Sequence, residues 1–509
     1  MYPGVHAATA PDRPAVIMSA TGERLTFGEL EENSRRLADR LRARGLRRGD
    51  VVALLSGNDP RMFEVYWACQ RSGLYVSAVN KHLKPDELAY ILSDSGARAL
   101  IVGPGMIDAV GDARSGVEYA VAMDLPSSDS GEWLDYASEV ALGSPEPVAD
   151  QPRGGDMLYS SGTTGRPKGI RPPLPDRDIK EPGDAMVALF GPALALDSDT
   201  VFLSPAPLYH AAPLRLCGAV QALGGTVVVM DRFDAEAALA AVETYQVTHG
   251  QWVPTMFVRM LKLPAEIRAK YDMSSMTHAV HAAAPCPAEV KRQMFDWWGP
   301  ILHEYYSSTE VSGTTWVTPQ DWETHQGSVG KPILGILRIC AEDGTELPPG
   351  EIGTIYFERD ERPFEYHNDP AKTKAAEHPS HPNWTTVGDI GFVDEDGFLY
   401  LTDRKAFMII SGGVNIYPQE IEDVLVLHPA VSDVAVIGVP DEEMGEKVLA
   451  IVQPAEGVTP SAPLADELTA FARSHLAGYK IPRRIEFTNA LPRTPTGKLV
   501  KGPLRNLYT

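Results

Sequence analysis

The stretch YSSGTTGRPKG, Tyr159–Gly169, is the motif on which the interpretation of this sequence depends. It places hydroxylated side chains and glycines next to one another and then adds a cation, Lys168. Glycine lets successive backbone N–H groups turn towards one point and lets a ligand approach the backbone closely. Such a nest of N–H and O–H donors, closed by a lysine, suits a phosphate chain. The alternative is a flexible polar surface loop, but the ordered hydroxyls followed by Gly165, Pro167 and Lys168 favour a phosphate loop.

This motif is not a Walker A loop. That loop needs a glycine directly before the lysine and a serine or threonine directly after it, whereas Lys168 lies between Pro167 and Gly169. The residues just before the motif, Asp156–Tyr159, predict a weak strand. Because ligands of open α/β sheets bind at the carboxyl ends of strands, the position of the motif supports a ligand-binding role.

Residues 20–102 alternate between helical and strand patterns. Thr26 and Glu29 form a capping-box pair at the start of a helix, and Val51–Leu55, Tyr75–Val79 and Ala99–Val102 predict strands. Further along the chain, Val201–Ser204, His249–Pro254 and His278–Ala284 also predict strands. Strands that alternate with helices indicate a parallel sheet covered on both faces, so we expect an α/β fold. With 509 residues the chain exceeds what one hydrophobic core serves, which predicts two or more domains.

The composition excludes several classes of function. A formal net charge of −22 argues against a nucleic-acid or anionic-membrane partner. No apolar run is long enough to span a bilayer, and the amino terminus lacks the pattern of a signal peptide. The cysteines are far apart and form no CxxC pair, so we expect neither structural zinc nor a disulfide framework, but a reduced, cytoplasmic setting. They are Cys69, Cys217, Cys286 and Cys340.

Further polar motifs follow predicted strands. Glu310 ends the stretch Glu304–Glu310, EYYSSTE, and a carboxylate behind small hydroxylated residues can bind Mg²⁺ together with substrate phosphates. Asp389 lies in Val387–Gly391, VGDIG, where it can accept hydrogen bonds from a ribose diol. Each residue taken alone is equally compatible with an ordinary surface glutamate or turn aspartate.

The pattern of predicted helices and strands changes at Asp403. The remaining residues predict a compact α+β unit of roughly one hundred residues, a usual size for a small domain. Near its end, Pro492–Lys501, PRTPTGKLVK, predicts an exposed turn that presents Lys498. If this segment is considered alone, the default interpretation of Lys498 is a solvent-exposed lysine of a terminal segment.

Taken together, the motifs resemble those of a known superfamily. YSSGTTGRPKG, PLYH, YSSTE, VGDIG, DRK…SGGVNIYPQEIE and PRTPTGKLVK occur in the order found in the adenylate-forming (ANL) superfamily, which contains acyl-CoA synthetases, firefly luciferases and nonribosomal adenylation domains. The resemblance covers nearly the whole chain and is greatest to the acyl-CoA synthetase branch. It implies an α/β amino-terminal domain, residues 1–403, whose parallel sheets flanked by helices bind AMP and the acyl group. It also implies a small mobile α+β domain, residues 404–509, that carries the catalytic lysine.

The resemblance implies an ATP-dependent acid–CoA ligase that uses Mg²⁺ and coenzyme A. A carboxylate attacks the α-phosphate of ATP to give acyl-AMP and pyrophosphate, and the thiol of coenzyme A then attacks the acyl carbon and releases AMP. Lys498 would bridge the carboxylate and the α-phosphate, Thr309 would meet the α-phosphate, and Glu310 would hold Mg²⁺. In the second step the small domain would rotate, so that Lys498 leaves and Gly412 and Gly413 approach the thioester tunnel.

The resemblance also assigns the nucleotide contacts. The β- and γ-phosphates would be lined by the residues of the first motif, namely Ser160, Ser161, Gly162, Thr163, Thr164, Gly165 and Lys168. Asp389 would hold the ribose hydroxyls with help from Arg404. The adenine would be enclosed by Ala283, Ala284, Pro285, Tyr305, Tyr306 and Ser307.

The acyl pocket implied by the resemblance is apolar. His210 takes the position of a histidine that gates the acyl tunnel, and the chain lacks the aspartate with which amino-acid adenylation domains pair an amine. The other pocket residues would be Trp252, Val253, Pro254, Thr255, Ala282 and Ser307. We therefore expect a hydrophobic carboxylic acid of the fatty, aryl or steroid type. The proline-rich stretch Arg171–Pro182, which reads as a lid or as a plain connector, resembles branches that act on bulky acids.

The chain departs from the family pattern at two positions. Ser307 replaces the usual glycine of the Y-G-x-T-E motif and should reshape the acyl pocket. Ala406 stands where the family has an aspartate or lysine hinge, which leaves the position of the hinge open.

Other functions on the same fold also remain open. They are a luciferase-type oxygenase, a loader of a separate carrier protein acting in trans, and an inactive binding homologue; the presence of Lys168, Glu310, Asp389 and Lys498 opposes the last. The expected assembly is a monomer or a homodimer.

Overall fold

The computed structural model describes residues 1–125, 133–148, 150–160, 167–404, 407–412, 414–441, 444–493 and 499–508. Up to residue 150 helices and strands alternate, and the sequence predicts this alternation for residues 20–102. In chain order they are α1 (Pro3–Ala7), β1 (Pro14–Met18), β2 (Arg24–Thr26), α2 (Phe27–Ala43), β3 (Val51–Leu55), α3 (Arg61–Gln70), β4 (Tyr75–Val79), α4 (Pro85–Ser95), β5 (Ala97–Val102), α5 (Ile107–Val110), a 3₁₀ turn (Gly111–Arg114), β6 (Tyr119–Ala122), β7 (Leu134–Asp135) and α6 (Tyr136–Leu142).

The predicted capping box at the start of α2 is present. The backbone N–H of Glu29 donates to Thr26 Oγ1 at 3.2 Å, and the backbone N–H of Thr26 donates to Glu29 Oε2 at 2.8 Å. Both bonds satisfy N–H groups that a helix start would otherwise leave without partners. The apolar face of α2, which includes Leu30, Leu37 and Leu41, is fully buried.

The alternation continues through residues 151–334. The elements are β8 (Gly155–Asp156), β9 (Leu158–Ser160), β10 (Lys168–Arg171), α7 (Ala185–Ala193), β11 (Val201–Ser204), α8 (Ala211–Leu223), β12 (Thr226–Val229), α9 (Ala235–Tyr245), β13 (His249–Trp252), α10 (Pro254–Leu261), α11 (Ala265–Arg268), β14 (His278–His281), α12 (Ala288–Trp298), β15 (Leu302–Tyr306), β16 (Thr314–Val317), α13 (Pro319–Thr324) and β17 (Lys331–Leu334).

Two large sheets organise this part of the chain. One runs β7-β6-β5-β3-β4-β8, and all of its pairs are parallel. The other runs β17-β16-β15-β14-β13-β11-β12-β1-β2; it is parallel from β1 to β15 and antiparallel at both edges. A shared hydrophobic core joins Leu54 of the first sheet and Phe202 of the second to Trp67 and Leu216 of the helices α3 and α8. The helices between the sheets therefore bury their apolar faces on both sides.

Residues 336–404 add shorter antiparallel strands. They comprise β18 (Ile336–Cys340), β19 (Gly353–Glu358), β20 (Glu365–Tyr366), α14 (Pro370–Ala375), β21 (Trp384–Thr385), β22 (Asp389–Val393) and β23 (Leu399–Arg404). One sheet has the order β18-β19-β22-β23, with β21 paired to β19, and a smaller one has the order β20-β10-β9. The smaller sheet places Lys168 opposite Ser160 and Tyr366 opposite Ile170, which fixes the two ends of the phosphate motif.

The last part of the chain has a core of its own. Its elements are β24 (Ile409–Ser411), β25 (Val414–Ile416), α15 (Pro418–Leu425), β26 (Val431–Asp441), β27 (Gly445–Pro454), α16 (Ala462–His475), a 3₁₀ turn (Gly478–Lys480), β28 (Arg484–Phe487) and α17 (Lys501–Tyr508). Val434, Val436 and Val448 pack with Leu468 in this core. The ammonium group of Lys262, just after α10, donates a hydrogen bond to the carbonyl of Val431 and joins this part to the rest of the chain.

Two predicted strands are shorter than the sequence indicates. The strand predicted over His249–Pro254 ends at Trp252, because Pro254 begins α10 at a position where a missing N–H costs nothing. The strand predicted over His278–Ala284 ends at His281, and Ala283 takes a left-handed conformation with φ of 75°. Within the described ranges, no helix combines the length and the apolar character needed to cross a membrane.

Candidate active site

Two adjoining cavities bring most of the predicted site residues together. The first has a volume of about 360 Å³, and its predicted wall residues are Ser160, Lys168, His210, Trp252, Val253, Ala282, Ala283, Tyr305, Ser307, Thr309 and Glu310. The second has a volume of about 270 Å³, and its predicted wall residues are Pro254, Thr255, Ala283, Ala284, Pro285, Tyr305, Tyr306, Ser307 and Asp389. Both contain Ala283, Tyr305 and Ser307, so they form two compartments of one site at the carboxyl ends of parallel strands.

Several predicted residues lie outside what the structure describes. They are Ser161, Gly162, Thr163, Thr164, Gly165, Ala406, Gly413 and Lys498, together with the side chain of Arg404. Gly412 is described, and it lies between β24 and β25, where its N–H donates to the carbonyl of Met444 at 2.8 Å. It is not among the described residues that line the two cavities.

Lys168, Glu310 and Tyr366 form a polar cluster on the wall of the first cavity. The hydroxyl of Tyr366 donates to Glu310 Oε1 at 2.8 Å, and Lys168 Nζ lies 5.0 Å from the centroid of the same ring. Glu310 is buried, with 9% of its surface exposed. A carboxylate and an ammonium group on the same wall suit a triphosphate with its metal cation, because the ammonium can pair with phosphate oxygens and the carboxylate with the metal. The oxygen ligand that Mg²⁺ prefers is therefore present, and Glu310 fits the metal role that the sequence predicts.

The loop that carries Thr309 and Glu310 is tied to the body of the protein. Arg215 of α8 makes an ion pair with Asp156 of β8, with Nη2 2.6 Å from Oδ2, and its Nη1 donates to the carbonyl of Thr309 at 3.3 Å. Burial acts to lower the pKa of Arg215, but the Asp156 carboxylate raises it overall. Val311 has a φ of 50°, which is uncommon for a β-branched residue. A buried cation thus holds a strained loop beside the phosphate motif.

The second cavity contains the residues predicted to hold the nucleoside. Asp389 begins β22 and is 8% exposed, and the hydroxyl of Tyr306 donates to its Oδ2 at 2.7 Å. The loop Ala283–Pro285 follows β14 on the other side. Asp389 is therefore a buried, oriented acceptor rather than an ordinary turn aspartate, and the predicted ribose role has the required geometry.

Apolar side chains also line the first cavity, for which the sequence predicts an acyl pocket. Met186, Leu189 and Phe190 of α7 line it together with His210, which lies immediately before α8. Burial lowers the pKa of His210 to about 4, so its imidazole is neutral at neutral pH. The structure places Thr255 and Pro254 on the second cavity instead, next to the nucleoside residues.

Two hydrogen bonds fix the orientation of the Ser307 hydroxyl. Its hydroxyl donates to the carbonyl of Gly313 at 2.8 Å and accepts from Thr314 Oγ1 at 3.2 Å. The side chain that replaces the family's glycine therefore braces the turn between β15 and β16 while it lines both cavities.

Sequence reasoning missed Tyr366 and Arg215. Neither belongs to a motif, and both reach the site only through pairings that are distant in sequence, Tyr366 through β10 and Arg215 through Asp156. Arg493 and Leu499, which flank the segment with Lys498, line the second cavity, and Arg493 Nη2 donates to Asp433 Oδ1 at 2.6 Å. The described residues on either side of the segment that bears Lys498 thus both lie at this cavity.

Comparison with known proteins identifies the family of the chain. The family model described as AMP-binding enzyme matches residues 5–361, and the model of the AMP-binding enzyme C-terminal domain matches residues 420–498. The chain is 36% identical to a feruloyl-CoA synthase of Amycolatopsis sp, over 100% of this chain and 98% of the relative. It is 30% identical to a long-chain-fatty-acid–CoA ligase of Mycobacterium tuberculosis, over 99% of this chain and 97% of the relative.

Solved structures show the same architecture. The o-succinylbenzoate CoA synthetase of Bacillus subtilis, in complex with its acyl-adenylate intermediate, aligns with a TM-score of 0.80 at 26% identity and covers 99% of this chain and 97% of that chain. ATP-bound MatB of Rhodopseudomonas palustris aligns with a TM-score of 0.81 at 27% identity, over 100% of this chain and 99% of that chain.

The chain therefore belongs to the AMP-binding enzyme family, the adenylate-forming superfamily that its motifs resemble. Within that family it is an AMP-forming acid–thiol ligase of the acyl-CoA synthetase branch, dependent on ATP and coenzyme A. The predicted α/β fold and the predicted class of enzyme are confirmed.

Proposed function

We propose that this enzyme joins a hydrophobic carboxylic acid to coenzyme A through an acyl-adenylate, with the residues of the two cavities in the roles that the sequence predicts. The observation that carries the proposal is the first cavity, whose wall contains both the polar residues Lys168, Thr309 and Glu310 and apolar side chains. A carboxylate whose apolar body packs against those side chains would meet the phosphates at the charged residues.

In the first half-reaction a carboxylate oxygen forms a bond to the α-phosphorus, and the bond to pyrophosphate breaks. Two unit charges about 4 Å apart repel by roughly 4 kcal/mol at an effective dielectric of 20. Lys168 and Lys498 would offset this repulsion as charge moves onto the leaving group. Mg²⁺, when bound at Glu310, would neutralise phosphate charge. Asp389 would accept hydrogen bonds from the ribose hydroxyls, and the loop Ala283–Pro285 would enclose the adenine with Tyr306.

In the second half-reaction the thiol of coenzyme A attacks the acyl carbon, and AMP leaves. Neutral His210 lies beside the acyl pocket, where it would admit the thiol without adding charge. We divide the chain at residues 403 and 404, and rotation of residues 404–509 would replace Lys498 by Gly412 and Gly413 at the site. The present position of Gly412 outside both cavities supports a rearrangement between the two steps.

The relatives include a sulfoacetate–CoA ligase of Cupriavidus necator, but those named for aryl and fatty acids support a hydrophobic acid. They include the feruloyl-CoA synthase, an indoleacetate–CoA ligase and a fatty-acid–CoA ligase. They also include a fatty acid–[acyl-carrier-protein] ligase of Streptomyces coeruleorubidus, which is 32% identical over 99% of this chain and favours transfer to a carrier protein as the second candidate.

A cytoplasmic location and a monomeric or homodimeric assembly complete the proposal, and the free thiols of the four cysteines support a reducing location.

The decisive experiment measures pyrophosphate release with short, long, aryl and steroid acids, with and without coenzyme A. We expect turnover with one class of hydrophobic acid and an acyl-CoA product when coenzyme A is present. Pyrophosphate release without any acyl-CoA product would favour the carrier protein.

Lys498→Ala should reduce adenylation by orders of magnitude but spare thioester formation from supplied acyl-AMP. Equal loss in both half-reactions would contradict the role of Lys498.

A further inference from the structure

Three residues that line the first cavity carry buried polar atoms that have no hydrogen-bond partner within the described part of the chain. Gln251 Oε1, the hydroxyl of Tyr209 and Ser77 Oγ accept or donate no hydrogen bond to any described residue. Gln251 and Tyr209 are each 5% exposed, and Ser77 is 0% exposed. All three residues line the same cavity. Buried polar groups in folded proteins are almost always paired, so such a cluster on a cavity wall indicates that a ligand completes it.

A hydrogen bond holds the amide nitrogen of Gln251 in place. It lies on β13, and its Nε2 donates to the hydroxyl of Tyr305 at 3.2 Å. The ring of Tyr305 packs edge-on against Phe190, with ring centroids 5.1 Å apart. The amide is therefore anchored by its nitrogen, while its oxygen is an acceptor without a donor among the described residues.

Tyr209 supplies the complementary group. Burial raises the pKa of Tyr209, so its hydroxyl keeps its proton at neutral pH and can donate. Its ring packs against the ring of His210, with centroids 4.6 Å apart. The cavity thus offers an acceptor and a donor in a wall that also contains the apolar side chains of Met186, Leu189 and Phe190.

The charges around this compartment favour a neutral ligand group. Arg215 also lines the cavity, but it is already engaged by the Asp156 carboxylate and the Thr309 carbonyl. A second carboxylate on the acid would lose its hydration without gaining this cation as a partner, whereas a hydroxyl would both donate and accept.

We propose that the acid carries a neutral hydroxyl group on its hydrophobic body, which donates to Gln251 Oε1 and accepts from Tyr209. Gln251 and Tyr209 are then specificity-determining residues of the ligase. The inference rests on the proposed function, because it assumes that this compartment holds the acyl group.

The test uses pairs of acids that differ by one hydroxyl. Suitable pairs are 4-hydroxycinnamate with cinnamate, 12-hydroxydodecanoate with dodecanoate, and a hydroxylated steroid acid with its deoxy form. The measured quantity is kcat/KM for pyrophosphate release, and we expect the hydroxylated member of at least one pair to be preferred by roughly 10- to 100-fold. A hydroxyl-binding site rejects the deoxy acid because its own polar groups then stay unpaired.

Variants separate recognition from structure. Gln251→Met keeps the length of the side chain and should reduce the preference by about 10-fold or more, as should Tyr209→Phe, which removes a single oxygen atom and serves if the first variant fails to fold. Gln221→Met is the matched control, because Gln221 is a fully buried glutamine that bonds to Trp67 Nε1 outside both cavities. It should leave the preference unchanged.

The outcomes distinguish the two proposals. Equal kcat/KM within every pair would overturn the hydroxyl inference and leave the ligase proposal standing. An equal loss for both members of a pair in Gln251→Met, accompanied by a raised KM for ATP, would overturn it too, because Gln251 would then act only through Tyr305. Absence of pyrophosphate release with every acid would overturn the proposed function and this inference with it.

Discussion

Tyr366 joins Glu310 to Lys168. Its hydroxyl donates to Glu310 Oε1 at 2.8 Å, and the Lys168 ammonium lies 5.0 Å from the centre of its ring. Because β20 pairs with β10, the backbone that carries Lys168 also positions Tyr366. One aromatic side chain therefore sets the spacing between the cation of the phosphate motif and the carboxylate proposed to hold Mg²⁺.

Replacement of Tyr366 by phenylalanine tests this relationship. The variant keeps the ring beside Lys168 but loses the hydrogen bond to the Glu310 carboxylate, and a bond to a charged group contributes about 1.5–3 kcal/mol. Since each 1.4 kcal/mol is tenfold, we expect KM for ATP to rise by roughly tenfold or more, with a smaller fall in kcat. The measurement is the dependence of pyrophosphate release on ATP at several Mg²⁺ concentrations.

Tyr356→Phe is the control, because Tyr356 lies on β19, where its ring contacts His378 outside both cavities. It should leave the KM for ATP unchanged. If Tyr366→Phe also left that KM unchanged at every Mg²⁺ concentration, Tyr366 would have no part in positioning Glu310.

The buried ion pair of Arg215 and Asp156 predicts that substitutions there can restore the stability of the protein without restoring its activity. Asp156→Asn leaves the Arg215 cation without its counter-charge in a site where the two side chains are 12% and 14% exposed. We expect a loss of about 3–5 kcal/mol in the free energy of unfolding. The double variant Asp156→Leu with Arg215→Met removes both charges and should recover most of that stability. It should not recover activity, because the carbonyl of Thr309 still lacks its donor.

Urea unfolding and pyrophosphate release measure the two effects. Glu289→Gln is the control, since it breaks the exposed pair between Glu289 and Arg292 and should cost less than about 1 kcal/mol. Full activity in the stable double variant would show that Arg215 does not position the Thr309 loop.

Local sequence patterns predicted the elements well where both faces of an element are buried. Val51–Leu55, Tyr75–Val79 and Val201–Ser204 have their predicted bounds, because continuous β-branched and apolar runs in a parallel sheet leave little choice of register. The end of β13 was predicted wrongly, because Pro254 fits the first turn of a helix as well as the end of a strand.

The motifs predicted which residues gather at the site but not how they are held. Lys168, Glu310 and Asp389 are recognisable by their neighbours in sequence, whereas Tyr366, Arg215 and Gln251 are distant residues that only tertiary pairing brings to them. No local periodicity distinguishes Gln251 from any other strand residue. Its significance follows from burial without a partner, which only the fold reveals.

A ladder of histidine rings across the large sheet predicts sensitivity to acid. His249 of β13 and His278 of β14 are paired in register, with ring centroids 4.7 Å apart, and His303 of β15 continues the stack at 5.4 Å. Burial lowers the pKa of all three imidazoles, to about 4 for His249 and for His303. Because an unfolded histidine titrates near 6.5, the unfolded chain binds protons first as the pH falls.

The stabilising effect of these neutral rings is therefore fully present above about pH 6.5 and is lost as the pH falls towards 4. For His249 the difference corresponds to on the order of 3 kcal/mol. We expect Tm to fall steeply between pH 6.5 and 4.5, and His249→Gln should lower Tm at neutral pH, because the ring loses its bond to the carbonyl of Leu194, but flatten its dependence on pH. His475→Gln, which changes an exposed histidine, should keep the steep dependence. An equally steep fall in His249→Gln would assign the acid sensitivity to other groups, since a ring that is absent cannot take up the proton.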